Sequence, residues 1–192
     1  MIDDVSRGVL IKYQELLLKW NKAINLISKK SVSEIWERHI LDSLQLLNYI
    51  DRFDKIIDIG SGAGFPGIVL SIGGVKDVTL IECDTRKAVF LHQAAKLSPN
   101  KITIIEERVD EKFSADCDIL TCRGFSTITN ILLVTQGVNR KKLLLLKGES
   151  YDKEIEEAQK DWLFNVKVHD SMTSNKGKIL EITDERKGNF SC

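Results

Sequence analysis

The stretch IIDIGSGAGFPGIVL, Ile56 to Leu70, decides the fold. Its apolar start reads as a strand, its glycines as a tight loop, and its end as the opening of a helix. Strand, glycine loop and helix in that order cradle nucleotides, and the glycine spacing separates the kinds. A dinucleotide fingerprint needs Gly-x-Gly-x-x-Gly. Here the glycines are Gly60, Gly62 and Gly64, and Phe65 stands where the third dinucleotide glycine belongs. No Gly-Lys-Ser/Thr follows, so a Walker loop is excluded. What remains is Asp58 and a Gly-x-Gly-x-Gly turn. Its backbone can bend sharply and come close to a ligand that carries no pyrophosphate.

Outward from the loop, five short apolar runs recur: KIIDIG (Lys55–Gly60), VTLIE (Val78–Glu82), ITIIEE (Ile102–Glu107), DILTCR (Asp118–Arg123) and LLLLK (Leu143–Lys147). Near-continuous apolar strands belong to a parallel sheet covered on both faces. Helices are expected between them, over Gly67–Ile72, Thr85–Leu97, Ser126–Gln136 and Ser150–Trp162. The last puts Tyr151, Ile155, Ala158 and Trp162 on one stripe. LFNVKVHD and GKILEIT alternate more strongly, as a closing antiparallel pair does. The expectation is an α/β fold on seven strands, five parallel and two at the end. DERKGNFSC (Asp184–Cys192) reads as a loose tail.

Upstream of Lys55 no strand is expected. Val9, Tyr13, Leu16, Leu17, Trp20, Ile24 and Ile27 recur at helical spacing. A second helix is expected from Ser31, with Glu34 completing a capping box, through Val32, Trp36, Ile40, Leu44 and Leu47. Residues 1–50 thus read as a helical extension packed on a Rossmann-like domain of residues 51–192.

The 192 residues suffice for one full core. With 43% hydrophobic and 29% charged residues they describe a globular protein. No apolar run approaches bilayer length, and MIDDVSRGVL is no signal peptide. The four cysteines, Cys83, Cys117, Cys122 and Cys192, form no Cys-x-x-Cys metal pair. Reduced thiols in the cytoplasm are expected. The zero net charge argues against a coat of non-specific nucleic-acid binding and leaves room for a local basic surface.

Asp-x-Gly-x-Gly-x-Gly resembles the loop of class I S-adenosylmethionine-dependent methyltransferases. Glu82, eighteen residues after Gly64, ends the second run, where an acid can hold both ribose hydroxyls. Ligands of open parallel sheets bind at the carboxyl ends of the strands, where loop and acid both lie.

Several further motifs are specific. WNKAINLIS (Trp20–Ser28), RHILDSL (Arg38–Leu44), DIGSGAGFPGIVL (Asp58–Leu70), LIECDTRKAVFL (Leu80–Leu91), CRGF (Cys122–Phe125) and LLLLKG (Leu143–Gly148) resemble the glucose-inhibited division protein B family. These are bacterial methyltransferases of guanine N7 in 16S ribosomal RNA of the small subunit. The resemblance implies a class I methyltransferase fold, S-adenosylmethionine as cofactor, and 16S ribosomal RNA or the small subunit as partner. It also implies a cytoplasmic monomer with no membrane contact and no metal. By the family pattern, Gly60 and Phe65 line the methionine and adenosine region. Glu82, Cys83 and Asp84 follow the second strand, with Glu82 on the ribose. Val109 and Asp110 flank the adenine, and Arg123 lies near the methionine end. Two departures stand out. The family often has Ser-Arg-Ala where this chain has Cys122-Arg123-Gly124. The link RVDEKFSADCD (Arg108–Asp118) is short, which puts a helix there in doubt.

Guanine N7 carries a free lone pair, so its methylation needs positioning and exclusion of water, and no proton removal. The chain has neither an Asn-Pro-Pro-Tyr motif nor a Pro-Cys nucleophile. No catalytic acid or base is therefore assigned. Arg38 and Lys147 are candidates for RNA contact, each weighed against a solvated charge. An arginine gripping both O6 and N7 would block the attacking lone pair, so recognition must use O6 alone, another edge or the ring face. His39, Trp20 and Trp36 read as packing residues. Asp42 and Ser43 read equally as packing or substrate residues. NRKK (Asn139–Lys142) reads as a solvated turn. Two other readings stay open: a methyltransferase of a small molecule or another RNA, and an RNA-binding module without activity. The exposed pair Lys29–Lys30 favours RNA over a lid on an apolar pocket.

Overall fold

The apolar runs form strands whose alternate residues point to opposite faces. In β1 (Lys55–Ile59), Ile56 packs in one cluster while Ile57 and Ile59 pack in the other. In β7 (Lys142–Lys147), Leu144 and Leu146 join the first cluster, and Leu143 and Leu145 the second. A strand buried on both faces has no polar alternation to display, which is why these runs read as continuously apolar. The computed structural model describes residues 2–188.

The other strands are β2 (Asp77–Ile81), β3 (Lys101–Ile105), β4 (Ser114–Asp116), β5 (Ile119–Arg123), β6 (Gly137–Asn139), β8 (Trp162–Asp170) and β9 (Lys178–Lys187). Seven of the nine form one sheet in the order β3-β2-β1-β5-β7-β9-β8. Its first five strands are parallel, and β9 runs antiparallel to both β7 and β8. The α-helices are α1 (Asp4–Asn21), α2 (Asp42–Leu44), α3 (Gly67–Ile72), α4 (Thr85–Ala95), α5 (Ile128–Val134) and α6 (Tyr151–Ala158). Residues of α1, α3 and α4 pack on one face, and those of α5 and α6 on the other. Leu10, Tyr13, Leu17, Ile35, Ile40 and Leu46 share a core with Ile56, Val78 and Ile119, and α1 packs against α3 and α4. Among the described residues no helix is long and apolar enough to cross a membrane.

Several local expectations are corrected. The first helix ends at Asn21, short of Ile24 and Ile27. The Asn21 Oδ1 accepts from the backbone N–H of Leu26 and Ile27 at 2.9 and 3.0 Å, a competing turn of the kind asparagine favours. The second helix is an irregular rod. A 3₁₀ stretch over Lys29–Glu34 leads to a π turn over Trp36–Leu41, then α2, then a 3₁₀ stretch over Gln45–Tyr49. Ser28 holds the N-cap position, and Ser31 donates its hydroxyl to the Ser28 carbonyl, so the Ser31–Glu34 capping box does not form. The short link after β3, as its length suggested, makes no helix. It supplies β4, which pairs parallel with β6 in a separate two-stranded sheet.

The end of the chain differs too. Trp162 opens β8 instead of closing α6. Asp184–Lys187 are no tail: they extend β9, with Leu163 opposite Arg186 and Trp162 opposite Lys187. The rest of the expected tail, residues 189–192 with Cys192, lies outside the described residues. Within Asn139–Lys142 the solvated turn shrinks to Lys141. The Arg140 side chain is 2% exposed, pairs with Glu185 at 2.8 Å and donates to the Thr135 and Val138 carbonyls.

Candidate functional site

The loop Gly60–Gly64 crosses from β1 to α3 at the carboxyl edge of the sheet. Gly60, Gly62 and Gly64 all have positive φ, at 63°, 57° and 90°. At Gly60 a second constraint applies, since an added Cβ would lie 2.4 Å from the Phe125 ring. The Gly62 position is open: an added Cβ would meet nothing nearer than the Gly60 carbonyl at 3.8 Å. Any larger side chain there would fill the cradle. Glu82 lies directly against it, in the residue after β2. Its Oε2 accepts from the Gly62 N–H and its Oε1 from the Asp84 N–H, both at 2.8 Å. Loop and acid, twenty residues apart, are thus one unit.

Beneath the loop lies Asp58, fully buried. Its Oδ2 accepts from the Gly67 N–H at 3.1 Å, and its Oδ1 has no protein partner. Burial pushes this carboxyl up to about 7, against the opposing pull of the Gly67 N–H, the Ser61 hydroxyl and Arg123.

The N-terminal segment braces the loop from the side. Tyr13 of α1 donates its hydroxyl to the Ala63 carbonyl, and its ring meets Phe65 edge-on with centroids 5.5 Å apart. The His39 ring stacks on Phe65 at 5.0 Å. Both its nitrogens are buried without a partner, and burial, reinforced by Arg123 and Arg38, pulls its pKa down to about 4. Neutral His39 is therefore a packing group, as its place in the sequence suggested. The Arg123 guanidinium, 4.8 Å from the Phe65 centroid, donates to the Arg38 carbonyl at 2.9 Å and pairs with Asp42 at 3.5 Å. Burial pulls its pKa down and the Asp42 charge holds it up.

The other expected residues have distinct surroundings. Cys83 is exposed beside Glu82. The Asp84 carboxylate caps α4 by accepting from the Arg86 and Lys87 N–H groups. Val109 and Asp110 follow β3 at the same sheet edge, and Asp110 accepts from the Lys112 N–H at 2.8 Å. Phe65 is buried, packed between the Tyr13 and His39 rings. The Arg38 side chain is 58% exposed, with a single ion pair to Glu34 at 3.2 Å. Lys147 is different. Its side chain is 9% exposed, donates to the Ser126 carbonyl at 2.6 Å and pairs with Glu154 at 2.7 Å. Sequence reasoning missed Tyr13, whose place on an apolar stripe marked it as core and hid the use of its hydroxyl. It also left the Phe125 ring over Gly60 unassigned.

Two clefts lie elsewhere. One, of about 380 Å³, surrounds Arg140 and Trp162, and the other, of about 900 Å³, runs between α1, the irregular rod and the β8–β9 turn. Neither includes Gly60, Glu82 or Arg123. The cradle at Gly62 is open, with the Glu82 carboxylate against it and the Arg123 guanidinium over the Phe65 ring. Those features fit S-adenosylmethionine.

Comparison with known proteins agrees with this geometry. Residues 7–183 match the family model GidB, described as rRNA small subunit methyltransferase G. A ribosomal RNA small subunit methyltransferase G from Rickettsia bellii is 53% identical over 186 residues, 94% of this chain and 96% of that protein. The one from Rickettsia prowazekii is 55% identical over 174 residues, 90% and 91% of the two chains. Among solved structures, magnesium protoporphyrin IX methyltransferase from Synechocystis, with bound S-adenosylmethionine, superposes with a TM-score of 0.61 at 13% identity. That match covers 89% of this chain and 96% of the other. A TehB-like S-adenosylmethionine-dependent methyltransferase from Corynebacterium glutamicum gives 0.56 at 16% identity, covering 90% and 98%. Identities this low establish the class I methyltransferase fold alone.

Proposed function

We infer the reaction from one premise: this chain belongs to the rRNA small subunit methyltransferase G family. It is an S-adenosylmethionine-dependent methyltransferase of small-subunit ribosomal RNA, and the acceptor proposed is N7 of a guanine in 16S RNA. The observation that carries the cofactor reading is the Glu82 carboxylate gripped by the Gly62 N–H at the edge of an open cradle. S-adenosylmethionine supplies an electrophilic methyl on a sulfonium. Glu82 is assigned to the ribose diol, Gly60 and Phe65 to the methionine and adenosine region, Cys83 and Asp84 to the chain beyond Glu82, and Val109 and Asp110 to the adenine. Arg123 is assigned to the methionine carboxylate.

Guanine N7 needs no base, so none is assigned, and His39, whose nitrogens are both buried, is assigned to packing on Phe65. What the chain contributes is alignment and a water-poor approach. For RNA, Arg38 is the better candidate, because its charge faces solvent. Lys147 is assigned instead to holding Ser126 and Glu154 together. The zero net charge gives no general attraction to nucleic acid, which favours a structured, protein-containing substrate such as the small subunit. The proposal places the protein in the cytoplasm as a monomer, with residues 1–50 serving as the RNA-facing extension.

Two experiments test this. Calorimetry should detect binding of S-adenosylmethionine and its demethylated product, and none of nicotinamide dinucleotides. Mapping of N7-methylguanine in 16S RNA from cells with and without the gene should reveal one site that disappears. An unchanged map would refute the substrate.

A further inference from the structure

Three parts of the chain, far apart in sequence, meet at Asp42. Its Oδ1 accepts from Gln45 Nε2 at 2.8 Å and from the Thr173 hydroxyl at 2.9 Å. Its Oδ2 lies 3.5 Å from the Arg123 guanidinium. Thr173 belongs to the β8–β9 turn, and Gln45 secures that turn again by donating to the Ser171 hydroxyl and accepting from the Met172 N–H. Because Lys178 at the start of β9 pairs with Lys147 at the end of β7, the turn stands at the carboxyl edge, the edge of the glycine loop. It presents Met172, 79% exposed, and Lys176 toward solvent there.

The Asp42 side chain is only 18% exposed, so water does little to stabilise its charge, and the donors from Arg123, Gln45 and Thr173 must do so. Arg123 is similarly enclosed and has few places to rest: the Arg38 carbonyl, the Phe65 face and Asp42. The two carboxylate oxygens therefore serve two sides of the site.

We propose that Asp42 is a positioning residue for methyl transfer: one oxygen holds Arg123 over the cofactor loop, and the other holds the β8–β9 turn beside the approaching RNA. This rests on the cofactor and RNA reading above. Asp42→Asn separates the two arms. The amide oxygen still accepts from Gln45 and Thr173, while the lost charge frees Arg123. Its affinity for S-adenosylhomocysteine should fall on the order of tenfold, as expected for a charged hydrogen bond, with the KM for RNA within about twofold. Thr173→Val should do the reverse, keeping cofactor affinity within about twofold and raising the RNA KM about threefold, as expected for one neutral hydrogen bond. A residue that merely stabilised the fold would move both quantities together in both variants. Nitrogen-15 arginine spectra of the ligand-free protein read the contact without cofactor or RNA. The Arg123 guanidinium should rotate slowly in the wild type and rapidly in Asp42→Asn. Unchanged cofactor affinity in Asp42→Asn, or parallel losses in both variants, would overturn the proposal. A wild-type protein that binds no cofactor would overturn the functional reading, while the spectra would still decide whether Asp42 holds Arg123.

Discussion

Tyr13→Phe removes one hydroxyl and leaves the ring in place. The Tyr13 side chain is fully buried, and its packing against Phe65 and Phe90, with centroids at 5.5 and 6.5 Å, survives the change. The variant therefore isolates the hydrogen bond to the Ala63 carbonyl. That bond joins α1 to the glycine loop across fifty residues of sequence. Burial holds the phenol well above its usual pKa of 10, so it donates throughout the working pH range. Without it a carbonyl in a dry site is short of a donor, which costs about 1–3 kcal/mol. Since no volume is lost, the lower part of that range applies, about 1–2 kcal/mol. If binding must re-order the loosened loop, the same energy appears as about fivefold to thirtyfold weaker cofactor affinity. Urea unfolding should show a lower midpoint at unchanged slope, and titration with S-adenosylhomocysteine the weaker affinity. A stability loss with cofactor affinity intact would refute α1 as the brace of the loop. No loss of either would refute the hydrogen bond.

Other outcomes follow from the charged groups. His39 should titrate near pH 4 by proton NMR. Its pKa is lowered on folding from 6.5, so its contribution to stability is complete above 6.5 and fades as pH falls through 4; a midpoint near 6.5 would contradict the buried stack on Phe65. Asp58 behaves in the opposite sense. Its pKa is raised from 3.8 to about 7, so its contribution is greatest below 3.8 and is lost as pH rises through 7. Asp58→Asn should flatten the decline in unfolding free energy between those values, and an unchanged slope would show that Asp58 is hydrated. Lys147→Met should destabilise the fold by about 2 kcal/mol, less than a fully buried pair because Glu154 keeps some exposure. The salt dependence of RNA binding should stay as in the wild type, and a slope shallower by about one would instead make Lys147 a phosphate contact.

The apolar runs were readable in the sequence. DILTCR and LLLLK were expected as buried parallel strands, and they form β5 and β7. Glu82 was legible because a strand end and a glycine loop are local patterns, and in an open parallel sheet their carboxyl edges coincide. The irregular rod was not. Its helical spacing is real, but 3₁₀ and π turns are selected by what each side chain meets, such as Arg123 on the Arg38 carbonyl. β4 and β6, three residues each, are too short for periodicity to register.

Local sequence determined which segments bury one face or two, where the backbone must turn through positive φ, and so the fold class and the cofactor loop. Tertiary structure alone decided where each charge is used. Lys147 looked free and is paired with Glu154. Arg140 looked solvated and is buried on Glu185. Asp42 draws on Thr173, 131 residues away. Hydrophobic burial is periodic along the chain and can be counted there. The partner of a charged or hydroxyl group is whatever the packed layers bring within about 3 Å of it, and no local pattern records that.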